Sequence, residues 1–433
     1  MKTSSVTLKK AGQFKGQIIP PPDKSISHRA VFFSSLAYGK SRVSNILRAG
    51  DTNSTINAFR MLGVEIKEIS DDSLLIDGPG FMRLKEPQDV IDCGNSGTTA
   101  RLLSGVLSGH SFFSVLTGDQ SLRSRPMYRV IEPLDAMGAR ISARSGKRYL
   151  PMSIKGGGLK AITYKMPVAS AQVKSAIILA GLFAEGDTVI EEPLKSRDHT
   201  ERMLTAYGVD VDTKGLRVTV TGGSELTACD ITIPGDISSA AFFIAGVLMV
   251  EGSELLIKDV GLNPTRHGFI EMIKRMGADV KVLDKKVVSG ESTGSLLCKY
   301  SDKLKAIKLT KEDIPSMIDE FPILCVLAAR ATGVTEIRGA RELRVKESDR
   351  ISSIVTELRK MGAKIEEYDD GVAIEGPVAL NSCNSLQSYG DHRIAMALSI
   401  AAISAEGESV IHGTDAVGIS YPEFYDTLEM LTQ

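Results

Sequence analysis

Leu182-Phe183-Ala184-Glu185-Gly186-Asp187-Thr188-Val189 closes an apolar run on a small, glycine-bearing turn and reopens as a β-prone segment. The same eight-residue logic occurs five more times, as LAYGKSRV, VLSGHSFF, LMVEGSEL, ARATGVTE and ISAEGESV. The turn glycines of the six are Gly39, Gly109, Gly186, Gly252, Gly333 and Gly407, at successive spacings of 70, 77, 66, 81 and 74 residues. A second signal follows each of the first five after 22 to 29 residues, as MLGVEI, MGARI, YGVDV, MGADV and MGAKI. There a helix ends at Gly63, Gly138, Gly208, Gly277 or Gly362 and an alternating strand begins. Isolated glycine turns are common, but eleven in alternating register are a repeat.

The repeating unit is therefore strand–helix–strand–helix with an extra strand, at roughly 72 residues, one sixth of the 433-residue chain. The sixth copy ends in a helix, Pro422 to Leu431, with no strand after it, while the N-terminal run Val6 to Ile19 is strand-like with no helix before it. The economical expectation is that the N-terminus supplies the strand missing from the last copy. Grouping three units per lobe then gives one lobe of residues 1–20 and 235–433 and a second of 21–234. The second crossing falls near Pro234-Gly235-Asp236.

Composition narrows the function. The chain is 42% hydrophobic and 24% charged with a formal net charge of −1, so no basic excess is available to neutralise a nucleic-acid backbone. Any cationic cluster must be local, which suits a small anion. Met1 to Lys10 is polar, and no apolar run approaches the ~20 residues a membrane helix needs. Five cysteines (Cys93, Cys229, Cys298, Cys325, Cys383) are scattered without metal-ligand spacing, as expected of free thiols in a reducing cytoplasm. The six histidines suggest no zinc site either.

The chemistry gathers where apolar helices begin. Pro21 and Pro22 lead into Asp23-Lys24-Ser25-Ile26-Ser27-His28-Arg29, ahead of the apolar stretch Ala30 to Ala37. Unpaired N–H groups at a helix start, a point charge at Lys24 and a planar fork at Arg29 make an anion seat, or an ordinary capped helix with solvated cations. Gly94-Asn95-Ser96-Gly97-Thr98-Thr99 lets backbone approach a ligand, and Ser170-Ala171-Gln172 caps a helix or bonds a ligand. Arg123, Arg125 and Arg129 flank Pro126, and Arg197-Asp198-His199-Thr200-Glu201 precedes another helix. A solvated face is the usual fate of such charge runs. In the second half, Asp319 opens an apolar helix, Arg344 to Arg350 holds five charged residues in seven, and Tyr389-Gly390-Asp391-His392-Arg393 opens another helix. Together these segments suggest a cationic pocket (Lys24, Arg29, Arg125, Lys346, Arg350, Arg393) containing the carboxylates Asp319 and Glu347, which suits proton transfer on anionic substrates. No P-loop, dinucleotide fingerprint or nucleophilic triad is evident.

The ordered set PDKSISHRA, GNSGTTARL, SLRSRPM, SAQVKSA, RVKESDR and YGDHRIAMA closely resembles the 5-enolpyruvylshikimate-3-phosphate synthase family over almost the whole chain. The resemblance implies an α/β fold: a two-lobed inside-out α/β barrel with three βαβαββ repeats per lobe and the active site in the cleft between lobes. It implies transfer of the enolpyruvyl group of phosphoenolpyruvate to the 5-hydroxyl of shikimate 3-phosphate, with release of phosphate. The setting is the shikimate pathway to chorismate and aromatic amino acids, in a cytoplasmic monomer using neither metal nor organic cofactor. Residue by residue, it implies shikimate 3-phosphate on Lys24, Ser25, Arg29, Ser170, Ala171, Gln172, Arg197, Asp319 and Lys346. Phosphoenolpyruvate would meet Lys24, Gly97, Arg125, Gln172, Glu347, Arg350 and Arg393. Asp319 would act as base on the 5-hydroxyl, Glu347 would protonate and later deprotonate the methylene carbon, and Lys24 would assist. SAQVK, Asn263-Pro264-Thr265-Arg266 and RDHTE look like the glyphosate-tolerant (class II) subgroup. That subgroup usually has Gly where this chain has Pro22, its strongly tolerant members carry Ala where this chain has Gly97, and Ile419 stands where other members have a phosphate-binding Lys. The related UDP-N-acetylglucosamine enolpyruvyl transferases carry a loop Cys five residues before the Arg of an Arg-Pro pair; that position is Gln120 here.

Overall fold

The computed structural model describes residues 4–432. Two compact units emerge: one takes the N-terminal segment to Pro21 with Pro234–Lys286 and Ser292 onward, the other Pro22–Ile233 with Val287–Glu291. Each is built from three copies of one motif.

In each of the first five copies a buried helix leads into a strand, then a second helix, then an antiparallel strand pair. The second copy shows the pattern. Ile91–Asp92 pairs in parallel with Phe113–Thr117, which pairs antiparallel with Tyr149–Lys155, itself paired with Arg140–Ala143. Five four-stranded sheets and one three-stranded sheet result. Ten of the eleven repeat glycines sit at positive φ, where a side chain would be strained. Gly109 is the exception, at φ −75°, and a Cβ there would lie 2.2 Å from the Phe183 ring, so contact rather than dihedral demands glycine.

The N-terminal run is two strands, not one. Ser5–Lys9 pairs with Glu408–His412 and completes the sixth sheet, while Lys15–Ile18 pairs in parallel with Glu254–Ile257 and leads the fourth. The segment between them, around Ala11-Gly12, is outside both ladders. The leading strand of the first sheet, Ile231–Thr232, comes likewise from far along the chain, pairing with Val43 and Ser44.

The core of each unit is a trio of helices whose near-uniform apolarity reflects burial on all sides. In Ile237–Met249 all thirteen residues are buried, and in His392–Ile403 all twelve. Phe321–Arg330 packs against both. The second unit uses Lys24–Leu36, Gly97–Ser108 and Ala171–Gly181, with the latter two packed along each other. A helix buried around its whole girth must satisfy every polar group it carries. Asp23, Ser96, Ser170, Asp236 and Asp391 cap the N-terminal ends of these helices, while interior hydroxyls bond back to the helix, as Ser104 does to the Ala100 carbonyl and Ser399 to that of Ala395.

Candidate active site

In the unit around Pro22–Ile233, Asp23 caps the first helix through its Oδ1, which accepts the Ile26 N–H at 2.9 Å. The cap frees Lys24 to face outward, where its Nζ lies 3.2 Å from Asp51 Oδ2. Arg29, one turn on and only 3% exposed, is held by three oxygens. Nε donates to Thr200 Oγ1 at 2.8 Å, one terminal nitrogen to Ser175 Oγ at 2.9 Å, and the other to the Ser25 carbonyl at 3.0 Å. These three bonds fix the plane of the guanidinium, whose charge suits an anion. His28 bonds Thr55 through Nδ1 at 2.7 Å. Burial first, then the charges of Lys24 and Arg29, drive its pKa well below the usual imidazole range, so it is neutral near pH 7.

The second helix of the trio begins at Gly97 after the Ser96 cap. A Cβ at position 97 would stand 2.6 Å from one Arg101 terminal nitrogen and 3.5 Å from one of Arg125, so the bare backbone lies beside two guanidinium groups. Arg125 is steered by Asn95 Oδ1 at 2.5 Å, the Asn95 carbonyl at 3.2 Å and Ser121 Oγ at 3.0 Å. The third helix is capped by Ser170 Oγ, which accepts the Val173 N–H. Gln172 spans two helices: its Oε1 accepts from Arg101 at 2.6 Å and its Nε2 donates to Thr98 Oγ1 at 2.9 Å. Ala171 is the first residue of that helix, and half-buried Arg197 lies two residues before the helix His199–Ala206. Lys24, Ser25, Arg29, Gly97, Arg125, Ser170, Ala171 and Gln172 thus come from the helix starts of one trio and the loops beside them.

The other unit arranges carboxylates around one arginine. Asp319 lies in a 3₁₀ turn, Ile318–Glu320, just before the helix Phe321–Arg330 rather than in its first turn. Arg350, 1% exposed, opens the helix Arg350–Lys360 behind the Asp349 cap. Its Nε donates to Asp391 Oδ2 at 2.8 Å, one terminal nitrogen to Asp319 Oδ1 at 3.1 Å and the other to Glu347 Oε2 at 2.6 Å. Burial lowers its pKa, but Asp391, Glu347 and Asp319 outweigh this and raise it above the ordinary arginine value. Arg393 donates to the Asp319 carbonyl at 3.3 Å and lies 3.7 Å from its Oδ2. Its backbone N–H is taken by Asp391 Oδ1 at 2.9 Å. Lys346 is half-buried beside Glu347, after the 3₁₀ turn Arg341–Val345. Asp319, Glu347, Arg350 and Arg393 form one cluster with Asp391 as its buried anchor. The side chains of Asp319 and Glu347 remain 15% and 18% exposed.

Several partners escaped the sequence reading: Asp51 on Lys24, Thr200 and Ser175 on Arg29, Arg101 between Gly97 and Gln172, and Asp391 on Arg350. Arg101 had a local signal, lying one helical turn after Gly97. Among the described residues no group of three or more His, Cys, Asp or Glu side chains is placed to hold a metal ion.

Six repeats, a cationic set of helix starts in one unit and two arginine-held carboxylates in the other are the features a class assignment must account for. The comparisons make the class specific. The family model of EPSP synthase (3-phosphoshikimate 1-carboxyvinyltransferase) matches residues 8–428. The 3-phosphoshikimate 1-carboxyvinyltransferase of Thermodesulfovibrio yellowstonii is 55% identical over 425 residues, covering 98% of this chain and 99% of the relative. That of Geotalea uraniireducens is 50% identical over 423 residues, 98% of each. The EPSP synthase of Acinetobacter baumannii superposes with a TM-score of 0.88 at 44% identity, covering 99% of this chain and 98% of that one. The enolpyruvyl transferase NikO from Streptomyces tendae shares the fold, at TM-score 0.76 and 18% identity over 98% and 96% of the two chains. The chain belongs to the EPSP synthase (3-phosphoshikimate 1-carboxyvinyltransferase) family, the enzymes that transfer the enolpyruvyl group of phosphoenolpyruvate to shikimate 3-phosphate in the shikimate pathway.

Proposed function

We propose that this chain performs the family's transfer by dividing it between the two groups of residues. The cationic helix starts bind the substrates. Lys24, Ser25, Arg29, Ser170, Ala171, Gln172 and Arg197 hold shikimate 3-phosphate; Lys24, Gly97, Arg125 and Gln172 hold phosphoenolpyruvate. The carboxylate cluster moves the protons. Asp319, aided by Lys346, takes the 5-hydroxyl proton as that oxygen attacks C2 of phosphoenolpyruvate, and Glu347 delivers a proton to C3. The tetrahedral ketal then loses phosphate from C2, and Glu347 removes a C3 proton to restore the methylene. Arg350 and Arg393 hold the charged groups of phosphoenolpyruvate; each terminal nitrogen of Arg350 keeps a second N–H for that purpose.

The observation that carries this reading is the single Arg350 guanidinium bonded to both Asp319 and Glu347, which fixes two carboxylates for two separate proton transfers. The test is phosphate release from phosphoenolpyruvate with shikimate 3-phosphate and, separately, with UDP-N-acetylglucosamine as acceptor. Release with shikimate 3-phosphate alone is expected; release with neither would refute an enzymatic role.

The SAQVK and RDHTE segments support placing the chain in the class II, glyphosate-tolerant-like subgroup. The open side of Gly97 supports inhibition by glyphosate nonetheless, because no methyl group narrows the space beside Arg101 and Arg125. An inhibition titration decides between tolerance and sensitivity. A cytoplasmic monomer completes the reading: five free cysteines fit a reducing compartment, and sedimentation equilibrium tests the monomer.

A further inference from the structure

Lys174 is wholly buried on the helix Ala171–Gly181, with its Nζ 3.0 Å from Glu192 Oε2 and 2.6 Å from Glu201 Oε1. Two carboxylates therefore share one ammonium away from water, an arrangement that is costly unless something keeps it. Glu201 has Lys174 as its direct ion-pair partner, with Arg202 adding a more distant attraction. Glu192 is doubly engaged: its Oε1 accepts the Ser196 N–H at 3.2 Å and the Ser196 hydroxyl at short range. That clamp closes the loop immediately before Arg197.

The neighbours of the triad are the residues assigned to shikimate 3-phosphate. Lys174 and Ser175 are adjacent on one helix, and Thr200 and Glu201 on the next. Lys174 meets Glu201, while Ser175 Oγ lies 2.6 Å from Thr200 Oγ1 and both oxygens accept from Arg29. The same helix begins with Ser170, Ala171 and Gln172. Lys174 thus ties together the helix carrying Gln172, the loop carrying Arg197 and the helix end that aims Arg29. It also joins the SAQVK and RDHTE segments, which look unrelated in sequence. Resting on the reading under Proposed function, we infer that Lys174, with Glu192 and Glu201, is a positioning residue for the shikimate 3-phosphate side of the site. Phosphoenolpyruvate depends on it less: of the groups assigned to it only Gln172 shares the helix of Lys174, while Gly97 opens another helix and Arg125 is held by Asn95 and Ser121.

The test measures shikimate 3-phosphate affinity by titration calorimetry without phosphoenolpyruvate, alongside the two KM values, in the full-length protein. Lys174→Met should weaken shikimate 3-phosphate by about tenfold or more, the scale on which sites respond when an outer partner is lost. The phosphoenolpyruvate KM should change less, staying within roughly threefold of wild type, since Gly97 and Arg125 lie on other elements and only Gln172 shares the helix. Glu201→Gln keeps the Lys174–Glu192 pair charge-balanced and decides the matter if Lys174→Met does not fold. It should show the same selective loss at smaller size. A lowered melting temperature with unchanged shikimate 3-phosphate affinity in the folded variants would overturn the positioning role. Failure of the wild type itself to bind shikimate 3-phosphate would overturn the functional reading beneath it, and this inference with it.

Discussion

Arg29, in the core helix Lys24–Leu36, and Arg350, at the start of the outer helix Arg350–Lys360, are both nearly sealed from water, yet their surroundings differ. Arg29 donates to two hydroxyls and a carbonyl, which fix its direction. Arg350 is held by three carboxylates, which cancel its charge and leave an excess of acid groups around it. On the reading proposed above, the first surroundings suit an anion and the second hold two carboxylates for proton transfer, with Arg350 also meeting phosphoenolpyruvate. Arg29 lies in the first helix of one repeat and Arg350 in the second helix of another, so the two devices come from different positions of the repeat.

The sharpest way to break that distinction is to neutralise the acids. Glu347→Gln or Asp319→Asn should lower kcat by roughly 10²-fold or more, as for other acid–base groups, and steady-state kinetics checks it. Near-normal turnover in either variant would remove that residue from proton transfer.

The next effect is on stability. Arg350→Met would strip Asp319, Glu347 and Asp391 of the guanidinium they share, with Arg393 near Asp319 as a partial offset, at a cost of about 3–5 kcal/mol. Arg125→Met removes hydrogen bonds to Asn95 and Ser121, costing roughly 1–3 kcal/mol, and on the proposed reading a phosphoenolpyruvate contact as well. Urea denaturation of the pair should rank them in that order. Equal losses would show that the carboxylates around Arg350 are not its main dependents.

A pH experiment addresses the cation-rich unit. Burial against Phe112 and Phe183 pushes the His110 pKa down to about 4. The unfolded imidazole takes a proton near pH 6.5 that the folded one refuses, so its share of stability is present above pH 6.5 and lost on acidification. The loss between pH 6.5 and 4 is about 3 kcal/mol, and His110→Phe should remove that part of the acid sensitivity. His28 moves in the same direction, with Lys24 and Arg29 adding to burial. The smallest effect is expected for Gly97→Ala: its methyl group meets the flexible end of Arg101, so stability should fall by about 1 kcal/mol. The phosphoenolpyruvate KM should rise and glyphosate inhibition weaken, both read from initial rates.

What the sequence disclosed follows from locality. The repeat was legible because helix-stopping glycines and the strands behind them are local signals, and nearly all of those glycines carry the positive φ that betrays them. Lys24, Gly97 and Gln172 were legible because helix starts announce themselves. Asp51 and Asp391 were not, because each meets its cation across 27 or 41 residues of chain, and nothing near either residue marks the pairing. The N-terminal run hid its division for another reason. Two strands separated by a few residues around Gly12 read as one strand-like run, and only the sheets they join tell them apart.

The most direct measurement is the affinity of the Glu347→Gln variant for shikimate 3-phosphate, by calorimetry, beside its turnover. If binding and proton transfer are divided as described, affinity stays within roughly threefold of wild type while turnover falls by about 10²-fold or more. Affinity and turnover falling together would contradict the division.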